Sequence, residues 1–155
     1  MKKVIFISST GGHLNELLQL KPLMEEYDSY LITEKTKSNI SLKNKFDNVY
    51  YLAYGTKKNL FKYFFRFGFN ICRSLFLFLK IKPDVVITTG THTAVPMCYI
   101  AKLFRKKVIY IETFANSKTK TLAGRIVYPI ADTFIVQWES MLELYPKAIL
   151  GGWIY

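Results

Sequence analysis

The chain alternates short, almost continuously apolar runs with longer amphipathic segments. Six runs rich in β-branched and aromatic residues predict strands, at 4–7, 29–33, 49–54, 84–89, 107–113 and 133–138. Apolar residues recur at helical spacing in 13–20, 60–79, 94–104 and 139–145, whereas 34–48 is polar and lysine-rich and predicts an exposed loop. Strands that alternate with helices form parallel sheets covered on both faces. The pattern therefore predicts an α/β fold with a Rossmann-like, doubly wound parallel sheet.

The first predicted strand runs into a turn of small residues that ends in two glycines, and a helix begins at His13. This arrangement is typical of an anion site, because glycines let a ligand approach the backbone N–H groups and the start of a helix adds unpaired donors. The glycine spacing matches neither G-x-G-x-x-G nor a Walker loop, so a purely structural turn is the alternative. Segments 10–13, 88–93 and 112–118 should meet at the carboxyl edge of the sheet, where such folds bind ligands.

Length and charge narrow the class of protein. A chain of 155 residues, half of them hydrophobic, predicts one folded domain. The net charge of +11 favours an anionic partner such as a phosphorylated substrate or an acidic lipid surface. Nucleic acid is not favoured, because the aromatic residues are interleaved for burial and no recognised nucleic-acid motif occurs. Cys72 and Cys98 lie in apolar segments without metal-ligand spacing, so we predict two core cysteines and no metal.

The segment 60–79 combines cations with aromatic residues, and no acidic residue occurs between positions 48 and 83. On a helix the cations fall on one arc and phenylalanines cover most of the remainder, which is typical of a helix at a membrane interface. The alternative is a core helix with a solvated lysine stripe, and one wide apolar face allows both. No apolar run reaches the ~20 residues that a spanning helix needs. The residues predicted to associate with a membrane are Lys58, Lys62, Arg66, Phe69, Arg73, Phe76 and Lys80.

Three segments resemble a known family: STGGHLNELL at 9–18, VITTGTHTAVP at 86–96, and the tract 109–155. They are similar to the acceptor-side subunit of the two-component GlcNAc transferase that acts on dolichol diphosphate GlcNAc, and more so to bacterial counterparts in capsular and exopolysaccharide assembly. The TGGH element is shared with MurG-type transferases. The resemblance implies the N-terminal half of a GT-B glycosyltransferase without a resident cofactor. A separate partner chain would bind the UDP-sugar, in a heterodimer.

Two departures from the family pattern bear on these expectations. The eukaryotic subunit starts with a membrane-spanning helix, whereas this chain starts at its first strand. We therefore expect helix 60–79 to provide most of the contact with the cytoplasmic face of the plasma membrane. At 89–93 the chain reads TGTHT where the eukaryotic form often reads NGPGT, which leaves the acceptor sugar open.

The resemblance implies inverting transfer of a sugar from a UDP-sugar to a hydroxyl of a polyprenyl-diphosphate-linked sugar. His13 and Glu112 are the candidates for the general base, since histidine titrates near neutral pH and the carboxylate ends a central strand. The alternatives are structural, with His13 capping a helix and Glu112 capping or pairing. The residues predicted to bind the acceptor diphosphate are Thr10, Gly11, Gly12, Thr91, His92 and Thr93.

The C-terminal residues Trp153, Ile154 and Tyr155 form an apolar end that we predict to lie at the partner interface. Two other functions remain open. The first is a non-catalytic scaffold that recruits and activates the donor subunit at the membrane. The second, more remote, is a nucleotide-dependent oxidoreductase in which Glu34 would bind a ribose.

Overall fold

The computed structural model describes residues 1–55 and 60–154, with side chains of 60–62 outside the description. Within these ranges the chain forms one sheet of parallel strands in the order β3-β2-β1-β4-β5-β6-β7. The strands are β1 (Lys3–Ser8), β2 (Asp28–Glu34), β3 (Val49–Leu52), β4 (Val85–Gly90), β5 (Lys107–Ile111), β6 (Thr133–Val136) and β7 (Ile149–Leu150). The predicted Rossmann-like doubly wound sheet is confirmed.

Helices cover both faces of the sheet. They are α1 (Gly12–Leu18), α2 (Lys21–Glu25), α3 (Leu60–Ile81), α4 (Val95–Leu103), α5 (Leu122–Val127) and α6 (Met141–Leu144), with a 3-10 helix at Ile40–Asn44. Successive side chains of β1 enter different cores, as strand geometry requires. Val4 and Phe6 pack with α1 and α2, whereas Ile5 and Ile7 pack with the helices of the other face.

Several elements end earlier than the sequence predicts, because side chains take over their backbone groups. Strand β3 stops at Leu52 because Asn70 of α3 accepts from the amide of Ala53 at 2.8 Å and donates to its carbonyl at 2.9 Å. Strand β5 stops at Ile111, after which the Gln137 side chain donates to the carbonyl of Glu112 at 3.1 Å and the amide of Thr113 donates to the Glu112 carboxylate. The short elements α2, α5 and β7 are additional to those predicted.

The order of the strands fixes where a ligand can bind. Strand β1 pairs with β2 on one side and β4 on the other, and the chain winds outward from this point in both directions. The loops after β1 and β4 therefore diverge to opposite faces and leave a crevice at the carboxyl edge, where doubly wound sheets bind ligands.

Candidate functional site

The turn after β1 is open and presents free backbone donors. Gly11 has a φ of +80°, which L side chains rarely adopt, and a Cβ added at Gly11 or Gly12 would meet nothing within 4 Å. Both residues are exposed, and neither amide has a hydrogen-bond partner among residues 1–55 and 60–154. The turn therefore has the unobstructed N–H groups that the anion-site prediction requires.

His13 is fixed beside this turn by the end of β4. Its Nδ1 lies 2.8 Å from the carbonyl oxygen of Thr89, and the Thr89 hydroxyl donates to the carbonyl of His13 at 2.7 Å. A carbonyl oxygen can only accept, so Nδ1 carries the hydrogen and Nε2 carries the free lone pair when the ring is neutral. The ring packs against Gly90, where a Cβ would lie 3.5 Å from Nδ1. The structure thus places His13 at the crevice with one nitrogen available to accept a proton.

Glu16 lies next to His13 on α1, and the sequence does not predict it as a site residue. Its Oε1 accepts from the Thr113 hydroxyl at 2.8 Å and from the Phe114 amide at 3.1 Å, which ties α1 to the loop after β5. Its Oε2 is buried, has no hydrogen-bond partner among the described residues, and lies 3.9 Å from Nδ1 of His13. This carboxylate can stabilise an imidazolium at His13. The i,i+3 spacing of the two residues on one helix is the sequence signal that could have revealed it.

Glu34, at the end of β2, links the loops that follow β1 and β4 through its buried carboxylate. The residue is 2% exposed, and its carboxylate accepts from the Thr93 hydroxyl at 2.7 Å and from the Thr10 amide at 3.3 Å. Its Oε1 also lies 3.7 Å from Nε2 of His92. Thr93 is buried and its hydroxyl is bonded to Glu34, so its predicted contact with the diphosphate stays a prediction. The same contacts occupy the carboxylate that the oxidoreductase alternative requires for a ribose.

Thr91 and His92 remain accessible on the other side of the crevice. The His92 side chain is 35% exposed, its Nδ1 lies 3.2 Å from the Thr91 hydroxyl, and its ring lies 5.7 Å from that of Tyr63. Both residues line a cavity of about 380 Å³ at the carboxyl edge. A larger cavity of about 770 Å³ lies at the amino end of β2, away from the crevice and from these side chains.

Glu112, the second candidate base, lies in a closed pocket. It is 1% exposed, and its carboxylate accepts from the Thr113 amide and from the hydroxyls of Thr121 and Tyr145, each at 3.0 Å. Gly124 packs against it so closely that a Cβ there would collide with the carboxylate. A general base must reach the hydroxyl that it deprotonates. In this structure Glu112 cross-links β5, α5 and the end of α6, and its predicted catalytic role stays a prediction.

Burial also raises the pKa of Glu112. A carboxyl group whose pKa is higher in the fold contributes stability fully below its unfolded pKa of about 4.3, and that contribution is lost as pH rises through the folded pKa. Glutamine cannot ionise. We therefore expect the Glu112→Gln variant to approach or overtake the wild type in free energy of unfolding as pH rises from about 4.3 towards neutrality, as measured by denaturant unfolding at several pH values.

The exposed Glu143 of α6 provides the control, since Glu143→Gln should differ from the wild type by an amount that changes little with pH. A gap between Glu112→Gln and the wild type that widens with pH would show instead that the three donors hold Glu112 ionised in the fold.

The outer face of α3 is apolar and bordered by cations. Phe64, Phe65, Phe69, Ile71, Leu75, Phe76 and Leu79 are exposed there, whereas Leu77, Phe78 and Ile81 pack on the sheet. Arg66, Arg73 and Lys80 recur at intervals of seven along one border. Lys58 and the side chain of Lys62 lie outside the described residues. No helix in the described ranges is long and apolar enough to cross a bilayer.

The two cysteines differ in burial. Cys98 is buried as predicted, but Cys72 is exposed on α3, so the core prediction was wrong for Cys72.

The C-terminal residues differ in their surroundings. Trp153 is 76% exposed, with its ring 5.6 Å from that of Phe114. Ile154 packs against the core of this chain. Tyr155 lies outside the described residues.

Among the described residues, no group of three or more His, Cys, Asp and Glu side chains is arranged to hold a metal ion.

Comparison with solved structures shows the fold. The Acinetobacter baumannii MurG structure superposes with a TM-score of 0.74 at 19% identity, covering 90% of this chain and 43% of MurG. A UDP-N-acetylglucosamine 2-epimerase from Rickettsia bellii gives a TM-score of 0.71 at 17% identity, covering 98% of this chain and 45% of the epimerase. The chain thus spans less than half of each of these proteins and corresponds to one of their domains in fold.

Comparison of sequences shows the family. The chain is 28% identical to the UDP-N-acetylglucosamine transferase subunit ALG14 of Mus musculus over 177 residues, covering 97% of this chain and 82% of the mouse protein. This relative is eukaryotic, so the predicted bacterial branch stays a prediction. Residues 3–154 match the family model described as "Oligosaccharide biosynthesis protein Alg14 like". The chain that forms this glycine turn and histidine crevice therefore belongs to the Alg14-like family of oligosaccharide biosynthesis proteins.

Proposed function

We propose that this chain is the acceptor-binding subunit of an inverting glycosyltransferase. It binds a polyprenyl-diphosphate-linked sugar, while a separate donor subunit binds the UDP-sugar and delivers a hexose or N-acetylhexosamine. The observation that carries the proposal is the open glycine turn beside His13, with Nε2 of the ring left free by the Thr89 carbonyl. Family membership supports it, since the mouse relative is named a UDP-N-acetylglucosamine transferase subunit.

The diphosphate of the acceptor lies against the amides of Gly11 and Gly12, which have no partner within the described part of the chain. Thr91 and His92 approach it from the β4 side, and the carboxylate of Glu34 lies 3.7 Å from Nε2 of His92. The surplus of cations, 22 Lys and Arg against 11 Asp and Glu, favours approach of this anionic head group.

His13 acts as the general base. Its Nε2 takes the proton of the acceptor hydroxyl as the oxygen forms a bond to the anomeric carbon of the donor sugar. The bond from that carbon to UDP breaks, and UDP leaves with the electron pair. The carboxylate of Glu16, 3.9 Å from Nδ1, stabilises the imidazolium that forms. The charge on the departing UDP is stabilised by the donor subunit.

The outer face of α3 holds the chain at the cytoplasmic face of the plasma membrane. Its exposed phenylalanines enter the boundary between head groups and acyl chains, and Arg66, Arg73 and Lys80 meet anionic head groups. Trp153, exposed beside the loop after β5, contributes to the interface with the donor subunit. We place the product in a capsular or extracellular polysaccharide, on the resemblance of the chain to bacterial subunits of such pathways.

A three-part activity assay tests this proposal. The chain alone, the donor subunit alone and the two together are each supplied with a UDP-sugar and a short-chain polyprenyl-diphosphate sugar in detergent, without a membrane. We expect turnover only from the pair. Turnover by this chain alone would refute the division of labour. Equal turnover by the donor subunit alone and by the pair would favour the non-catalytic scaffold, since detergent removes the need for recruitment to a membrane.

A further inference from the structure

The cavity of about 380 Å³ beside His92 has apolar walls, which binding of a diphosphate does not require. It lies where the start of α4 passes between α3 and α5. Tyr63 and Phe67 of α3 form one wall, and Leu122 and Ile126 of α5 form the other. The members of each pair are four residues apart, so both side chains project from the same face of their helix. The result is a groove with two apolar walls.

One end of the groove is polar and the other opens onto apolar surface. At the polar end, His92 stands beside Glu34, and Glu34 in turn accepts from the amide of Thr10 in the glycine turn. Along the α5 wall the groove reaches the surface, where Leu122 is 67% exposed and Ile126 is 38% exposed. Exposed Phe64 lies next to Tyr63 on α3, so the apolar surface continues towards the proposed membrane face. A ligand that fills this groove has a charged head at His92 and a hydrocarbon chain that leads away from it.

The chemistry of the walls excludes the polar parts of the substrates. A sugar or a nucleotide needs several hydrogen-bonding groups to replace its contacts with water. Phe67, Leu122 and Ile126 offer none, and the hydroxyl of Thr121 is already bonded to Glu112 and Gly124. The polar groups that remain in the lining are Thr91 and His92 at the polar end and the hydroxyl of Tyr63. A branched hydrocarbon suits such walls, because its burial removes apolar surface from water on both sides. The volume is within the range of pockets for small ligands, about 300–1,000 Å³.

We infer that this groove, defined by Tyr63, Phe67, Leu122 and Ile126, binds the first isoprenyl units of the acceptor lipid. The inference rests on the proposed function, because it takes the head group at the polar end to be the acceptor diphosphate. On this reading, the chain recognises the lipid as well as its diphosphate. The groove leads the lipid from the outer face of α3 to the glycine turn.

Binding of three probes to the full chain tests the inference: inorganic pyrophosphate, geranyl diphosphate and geraniol, measured by calorimetry. We expect geranyl diphosphate to bind at least about tenfold more tightly than pyrophosphate. The variants Leu122→Asp and Ile126→Trp, at partly exposed positions, should remove this preference and leave pyrophosphate binding unchanged. The matched controls Leu103→Asp and Leu103→Trp change an exposed leucine of α4 outside the groove, and should retain the preference.

The outcomes separate the two proposals. Equal affinity for pyrophosphate and geranyl diphosphate would overturn the groove and leave the glycine turn intact. A preference that survives in both groove variants would also overturn it, because the chain would then bind elsewhere on the surface. Geraniol binding as tightly as geranyl diphosphate, with loss in the groove variants, would support the groove and count against the diphosphate site of the proposed function.

Discussion

Replacing His13 with asparagine is expected to lower kcat of the reconstituted pair by about 10²–10⁴-fold, the range that a positioned general base supplies. The asparagine amide nitrogen is bonded to Cγ, as Nδ1 is, so it can still donate to the Thr89 carbonyl, which now receives Nδ1–H at 2.8 Å. Asparagine has no basic nitrogen to take the place of Nε2. The change should therefore remove the proton acceptor and leave the contact between α1 and β4. Steady-state kinetics with a short-chain acceptor measures the effect.

Two variants show whether the loss is specific to His13. His92→Gln should raise KM for the acceptor more than it lowers kcat, because His92 is proposed to bind the diphosphate and not to take the proton. Glu112→Gln should keep kcat within a few-fold, since its carboxylate is buried and already occupied by three donors. If His13→Asn retains the full kcat, His13 is not the base and the scaffold alternative is favoured.

Removing the three described cations of α3 is expected to weaken binding to anionic vesicles by about a hundredfold. Each Lys or Arg near an anionic surface contributes about 1 kcal/mol, and three such contributions correspond to slightly more than a hundredfold in affinity. The variant Arg66→Ala/Arg73→Ala/Lys80→Ala leaves the inner face of α3 unchanged. Co-sedimentation with phosphatidylglycerol vesicles at constant salt measures the change.

A control with the same loss of charge uses Lys21, Lys43 and Lys45, which are exposed on α2, the 3-10 helix and the residue after it, on the opposite face of the sheet. Substitution of these three by alanine should weaken vesicle binding far less. Equal losses in the two triple variants would mean that net charge alone attracts the protein, and that α3 has no particular orientation towards the membrane.

The fold is predictable because its main signals are local. Runs such as 4–7 and 85–87 are apolar at successive positions, which a strand covered on both faces requires. Elements that depend on distant partners are not predictable in detail. The end of β3 is set by Asn70, 17 positions away. The short helix α5 depends on a cap from Thr121, whose hydroxyl also bonds Glu112.

In the candidate site, too, contacts between residues close in sequence are predictable, and contacts between distant residues are not. The glycine turn and His13 follow one another in the chain, so the sequence predicts their juxtaposition. The sequence suggests Glu34 only as a ribose ligand, because nothing local shows that Thr93, 59 positions away, will donate to it. The surroundings of Glu112 are not predictable for a related reason. Its position at the end of a strand suggests exposure, whereas Thr121 and Tyr145 close the pocket from segments that only the fold brings together.

The central claim is that the diphosphate of the lipid-linked acceptor binds at the glycine turn of this chain. Amide NMR of the full ¹⁵N-labelled chain, titrated with a short-chain polyprenyl-diphosphate sugar, tests it most directly. We expect the amide signals of Gly11 and Gly12 to shift with a single saturable dissociation constant, while that of the exposed Lys21, near the amino end of β2, does not change. If the ligand binds and the signals of Gly11 and Gly12 stay in place, the acceptor diphosphate lies elsewhere and the account is wrong.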